Sequence, residues 1–535
     1  MKVRSQFGVV LVLILVLVLS VSVTSAQETT TPRLRALDFA PFEEALAGFT
    51  AERAAEIGAV VESATIPEVQ AAVQAGDFSY EELTLFFLSR VRQYDETLRS
   101  YVELNPNALE EARAADALLA EGTILGPLHG IPVNLKDNIE TTAPMHTTGG
   151  AEILLNNVPA QDAPVVTQLR EGGAVLLGKT GLSEFAGGID LFHPGFNAVG
   201  GQVHNPHGMQ FSPAGSSAGS GSSVAADLVM VSVGSETAGS LIAPSAWNGV
   251  VGMYPGEGVV DGSGVIPLIA NNDSPGPIGR TVTDVATLLG VIDTTDTDYL
   301  AALDPNALNG ATVGILSSGI MGRVVPADPA MEDSSDNEAL LNLLAETLGQ
   351  MGAEPVPVPA WLGDEEIVKN VYGPLNALIH GGVRHDMLGY LIDVGAPVAS
   401  VEDLQAYNLA DPDVRIPVGQ GVLDEVVADT LLADPTAYAQ TAEGIRASAA
   451  GVLDTTFAET GVDVLATFNN YESSFYPLAN YPAITVPLGL RANGMPVGLT
   501  LIGRQGSEAQ LLAYAYAFEQ ATNLRATPDL SALGN

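Results

Sequence analysis

The sequence predicts an α/β layered domain. Helix-like and strand-like pieces alternate through its middle third, and two apolar strands near its end are joined through Asn493-Gly494, a strong hairpin turn. At 535 residues and 47% apolar side chains, the chain has enough material for one large core or two ordinary ones. Its formal charge is −42, from 21 basic and 63 acidic residues, which argues against nucleic acid as a partner. It contains no cysteine, so a thiol nucleophile, a Cys-ligated metal centre and a lipid-anchoring thiol are all excluded.

The first 26 residues have the layout of an export signal. Lys2 and Arg4 precede an apolar stretch from Phe7 to Leu19, and small residues follow as far as Ala26. That stretch is short for a membrane span, which needs about 20 apolar residues. The expectation is a secreted or periplasmic protein with no stable membrane association unless the segment stays uncleaved. Residues 27–64 form a polar, then helical, extension, and the main domain is expected over 65–535. Thr65 and Glu68, then Ser79 and Glu82, have capping-box spacing; the first opens a helix closed by Gly76. Leu83, Phe86, Phe87, Val91 and Tyr94 give the second helix one apolar face, and a third runs from about Ala108 to Ala120. Gln161 to Arg170 reads as a helix, Gly173 to Gly178 as a strand, Ser222 to Leu228 as a helix and Val229 to Val233 as a strand. Ala483 to Leu490 and Pro496 to Gly503 are the hairpin strands. Residues from about 300 to 470 are acidic and poor in motifs, and read as a helical cap or insertion.

Three patterns compete for the chemistry. Gly173-Ala-Val-Leu-Leu-Gly178-Lys179-Thr180 matches a phosphate-binding loop letter for letter, but its apolar centre wants to be a buried strand. Gly215-Ser216-Ser217-Ala218-Gly219 matches a nucleophile elbow with Ser217 as nucleophile. The elbow needs a strand before it and a downstream histidine. Loop chemistry precedes it here, and only His380 and His385 follow. The third pattern is the whole stretch from Gly215 to Ser240, two small-residue loops flanking a buried apolar element. That arrangement gathers hydroxyls and backbone donors, as acyl transfer requires. Lysine is scarce, with Lys2, Lys136, Lys179 and Lys369 the complete set. Lys136 ends an apolar strand-like stretch, where desolvation would lower its pKa and free a neutral amine. Pairing with Asp137 or another carboxylate is the equal alternative.

Gly126-Pro-Leu-His-Gly-Ile-Pro-Val-Asn-Leu-Lys-Asp-Asn-Ile139, the Gly215 to Ser240 segment, Asn248-Gly-Val-Val-Gly252, Ser274-Pro-Gly-Pro-Ile-Gly-Arg-Thr-Val282 and Tyr481-Pro-Ala-Ile-Thr-Val-Pro-Leu-Gly489 resemble the amidase signature family. The resemblance runs from about Thr65 to Thr522 and thins between 300 and 470. It implies a single large domain, with a mixed β-sheet core covered by helices on both faces. It also implies a Ser–Ser–Lys triad: Ser240 as nucleophile, Ser216 as the bridging serine that usually carries a cis peptide bond, and Lys136 as base. The backbone N–H groups of Thr237, Ala238, Gly239 and Ser240 would form the oxyanion hole. Ser217 would support the network through a side-chain hydrogen bond, and Lys179 would be structural. No metal or cofactor is implied, and the expected substrate is a small-molecule or peptide amide, turned over by a monomer or homodimer. Two departures stand out. Ala238 replaces the first of the two glycines that commonly precede the nucleophile, and Ile242 replaces an arginine, leaving Glu236 without its expected partner. With the export signal, these look most like the exported branch that includes bacterial peptide amidases. A serine esterase built on Ser217, or an amide-binding homologue with impaired turnover, are the alternatives.

Overall fold

A computed structural model describes residues 33–317, 320, 334–358, 361, 370–371 and 373–533. The segment expected to be an export signal lies outside them, as do Lys2 and Lys369. Among the described residues no helix is long and apolar enough to cross a membrane.

Local signals settle the first helices. Thr65 and Glu68 close a reciprocal capping box on the helix Ile66–Ala75, and Gly76 ends it with a φ of 83°. Ser79 and Glu82 do the same for Tyr80–Leu98, whose Leu83, Phe86, Phe87 and Val91 are buried. Ala108–Ala120 follows with the expected bounds. The helix expected over 161–170 is Pro164–Glu171, started by its proline.

The strands are β1 (Tyr101–Leu104), β2 (Pro132–Lys136), β3 (Val175–Thr180), β4 (Phe196–Asn197), β5 (Gly201–Gln202), β6 (Val231–Glu236), β7 (Val251–Tyr254), β8 (Ser274–Gly279), β9 (Thr312–Ile315), β10 (Glu354–Pro357), β11 (Val464–Phe468), β12 (Ala483–Leu490) and β13 (Pro496–Ile502). Apart from the small pair β4–β5, they form one sheet ordered β1-β3-β2-β6-β8-β7-β12-β13-β11-β9-β10. The sheet is mixed. β3, β2 and β6 run parallel, β6 through β12 to β13 and β11 pair antiparallel, and β11, β9 and β10 are again parallel. Helices cover both faces. The hairpin β12–β13 turns through Asn493 and Gly494, the latter at a φ of 90°.

Three readings are refined. The stretch 300–470 is not an insertion throughout, because β9, β10 and β11 extend the main sheet while the helices from Gly373 to Thr460 lie between β10 and β11 in the chain. The phosphate-loop pattern is strand: Gly178 and Lys179 sit inside β3, paired with both β1 and β2. The helix expected to begin at Ser222 begins at Ala218 instead and ends at Ala225. Its run of glycine and serine has poor helix propensity, and burial of every one of its residues overrides that preference.

Close approach explains the small residues. A Cβ on Gly219 would lie 2.3 Å from the Ser100 carbonyl oxygen and 2.5 Å from the Gly181 nitrogen. Both neighbours are backbone and cannot swing away. Gly219→Ala is therefore expected to destabilise the fold by about 1–3 kcal/mol, measured as a lower urea midpoint at unchanged slope.

Candidate active site

β2 and β6 are parallel neighbours, with Leu135 in register with Val233, so their C-terminal ends emerge side by side. That end of an open sheet is where ligands bind in α/β folds. Lys136 is the last residue of β2, and Ser235 and Glu236 are the last two of β6. The loop carrying Ser216 and Ser217 leads into the helix Ala218–Ala225 beneath them, and the Gly215–Ser216 peptide is cis.

Lys136 is fully buried, and its Nζ lies 2.6 Å from Ser216 Oγ, 2.8 Å from Ser235 Oγ and 3.4 Å from the Ser235 carbonyl oxygen. Burial pulls its pKa down to about 7, while the carboxylates of Asp273 and Glu236 push the other way. Asp137 is not its partner. Successive side chains leave a strand on opposite faces, and Asp137 instead bonds Thr148 and lies 3.8 Å from buried Lys179, whose ammonium also reaches Ile139 and Thr147. Lys179 is thus tied to that second cluster.

Ser240 is half-buried, and its carbonyl accepts the Ser217 N–H at 3.0 Å. Its hydroxyl has no hydrogen-bond partner among the described residues, whereas Lys136 and Ser216 are in direct contact. Ser217 Oγ donates to the Ser235 carbonyl at 3.1 Å and accepts the Ser235 N–H at 3.2 Å. It is a buried clasp on the end of β6. His380 lies 3.0 Å from Asp429, and His385 bonds the Leu432 carbonyl at 2.8 Å, so neither is paired with Ser217.

The glycine loop carries a correction. The Gly239 N–H, expected in the oxyanion hole, donates to the Glu236 carboxylate, as do the N–H groups of Leu241 and of Ile242, the last at 3.1 Å. A buried carboxylate must be satisfied, and with Ile242 in place of an arginine the backbone supplies the donors. Burial raises Glu236 to about 7, opposed by those three hydrogen bonds. The N–H groups of Thr237, Ala238 and Ser240 have no partner among the described residues and are the ones left for an oxyanion. Gly239 itself has a φ of 109°, which a side chain rarely adopts. Thr237 is anchored from behind: its hydroxyl bonds Asp273, and its carbonyl accepts from Asn272. Burial pushes Asp273 up to about 6, against the Thr237 hydrogen bond.

Sequence reading missed Ser235, Asn138 and Asp273. Asn138 Nδ2 donates to Ser235 Oγ at 3.0 Å. The signal was the β2–β6 register, which places position 235 beside 137, and register is not legible in either segment alone. Among the described residues no group of three His, Cys, Asp or Glu side chains is arranged to hold a metal ion.

A buried lysine against a serine, next to a second serine on a loop with open N–H groups, is the equipment of an acyl-transfer hydrolase. A family model described as Amidase matches residues 82–368, and the chain belongs to the amidase (amidase signature) family, enzymes that hydrolyse amide C–N bonds. A probable amidase of Arabidopsis thaliana is 34% identical over 477 residues, covering 88% of this chain and 92% of its own. Among solved structures, an amidase family protein from Bacillus anthracis superimposes with a TM-score of 0.82 at 32% identity, covering 91% of this chain and 97% of that one. The native peptide amidase from Stenotrophomonas maltophilia superimposes with a TM-score of 0.79 at 34% identity, covering 88% and 99%.

Proposed function

We propose that this amidase is an exported amidohydrolase that releases ammonia from C-terminal peptide amides through Lys136, Ser216 and Ser240. The observation that carries the reading is the fully buried Lys136 amine 2.6 Å from Ser216 Oγ, a burial that pulls its pKa down to about 7. The Ser240 hydroxyl rotates onto Ser216 and attacks the amide carbon; its proton passes to Ser216, whose own proton passes to Lys136. The Thr237, Ala238 and Ser240 N–H groups stabilise the oxyanion. The tetrahedral intermediate collapses as the proton returns through Ser216 to the leaving nitrogen, and ammonia departs. Water then attacks the acyl-Ser240 ester, giving up its proton along the same route, and the carboxylic acid is released.

The peptide amide assignment is supported by likeness to the Stenotrophomonas maltophilia peptide amidase and by Ile242 standing where an arginine partner for Glu236 is expected. Export is supported by the Lys2, Arg4 and Phe7 to Leu19 pattern and by the acidic composition. Ammonia release from a panel of N-blocked dipeptide amides, compared with free glutamine, tests the substrate. Peptide amides should be the better substrates, and turnover of glutamine alone would overturn the assignment. N-terminal sequencing of the exported protein should begin after Ala26. His380→Ala and His385→Ala should keep wild-type turnover, since both rings are held by partners of their own; loss of activity in either would revive the Ser217 esterase.

A further inference from the structure

Lys136 Nζ has three oxygens around it, and two belong to one residue that the proposed relay does not use. Ser216 Oγ lies at 2.6 Å, Ser235 Oγ at 2.8 Å and the Ser235 carbonyl at 3.4 Å. A lysine ammonium carries three N–H donors, so the set matches the protonated side chain one for one. On deprotonation one of those three directions becomes the lone pair, and a base works only if the lone pair faces the proton it takes. The Ser235 carbonyl has no hydrogen to give, so it holds an N–H in both states. Ser235 Oγ already receives the Asn138 amide N–H at 3.0 Å, which fixes that hydroxyl rotor and turns the oxygen toward Lys136 as an acceptor. Ser217 clasps the Ser235 backbone from the other side.

We propose that Ser235 is a positioning residue for the reaction: its side-chain and backbone oxygens occupy two N–H groups of Lys136 and direct the lone pair at Ser216, with Asn138 holding the Ser235 hydroxyl in register. Ser235 has no hydrogen bond to Ser240 among the described residues and acts through Lys136. The inference rests on Lys136 being the base.

The test is the pH profile of kcat/KM in Ser235→Ala, Ser235→Thr and Ser235→Val. Besides Ser235, the charged groups that face Lys136 are the carboxylates of Glu236 and Asp273, and all three variants keep both. Loss of the Ser235 hydroxyl removes an acceptor that favours the ammonium. The acid limb of Ser235→Ala should therefore move to lower pH by about one unit, and the plateau should fall about 10- to 100-fold as the lone pair loses its direction. Ser235→Thr, which keeps the hydroxyl on a strand-compatible side chain, should restore both plateau and limb; Ser235→Val, of the same shape without the hydroxyl, should not. A merely structural serine would lower the plateau without moving the limb, and that result overturns the proposal. Should Ser235→Ala fail to fold, the Thr and Val pair decides: equal profiles reject the role, and a separation in both limb and plateau supports it. Lys136→Ala is run alongside. Full turnover there removes the assignment of the base, whereas an inactive Lys136→Ala with a wild-type Ser235→Ala removes only the role of Ser235.

Discussion

Lys136→Met should lose about 10⁴-fold in kcat/KM while its thermal stability at pH 7 does not fall below that of the parent enzyme. The activity loss follows from the contact with Ser216, because a thioether at that place accepts no proton. The stability result follows from linkage. Unfolded, the lysine keeps its ordinary value of 10.5; folded, burial has lowered it to about 7. Between those values the unfolded chain binds more protons than the folded one, so the lysine's contribution to stability rises with pH across that window. It is least favourable below about pH 7, where the folded protein must also carry the charge in a buried place, and the penalty is gone above 10.5. Removing the amine should therefore flatten the pH dependence of Tm between 7 and 10.5, which differential scanning calorimetry at a series of pH values measures. The same titration sets the activity profile, whose acid limb should lie near pH 7. A Lys136→Met enzyme with substantial turnover would end the proposed mechanism.

Ser240→Ala should abolish both turnover and covalent labelling by a fluorophosphonate, a loss on the order of 10⁴- to 10⁶-fold. The comparison with Ser217→Ala makes this decisive. Ser217 Oγ accepts the Ser235 N–H and donates to the Ser235 carbonyl, so its removal leaves a buried strand donor unpaired. That costs about 1–3 kcal/mol and shows as a lower denaturation midpoint, yet the protein that remains folded should still label. Labelling lost in Ser217→Ala and kept in Ser240→Ala would exchange the two serines and return the site to an elbow. Among the described residues the Ser240 hydroxyl and the N–H groups of Thr237 and Ala238 have no partner, which is what the proposed arrangement needs, since a committed hydroxyl such as that of Ser217 must first break two hydrogen bonds.

Glu236 illustrates what residue-by-residue reading leaves out. Ile242 predicted that this acid would lack its arginine, and among the described residues no arginine bonds it. The backbone N–H groups of Gly239, Leu241 and Ile242 take the role instead, and in doing so they withdraw Gly239 from the expected oxyanion hole. Donors that every residue but proline carries leave no trace in composition.

The local decisions of this chain were legible in its residues. The capping boxes at Thr65 and Ser79, the turn at Asn493-Gly494 and the buried strand inside the Gly173 to Thr180 pattern each depend on neighbours a few positions away. What tertiary structure alone decided is how distant segments meet. The parallel register of β2 with β6 brings Ser235 to Lys136 across 99 residues of chain, and β9, β10 and β11 join a sheet that their own acidic, motif-poor surroundings did not announce. Hydrogen bonds between strands are made by backbone groups common to nearly all residues, and their alignment is chosen by packing over the whole core; no short window of sequence contains that choice.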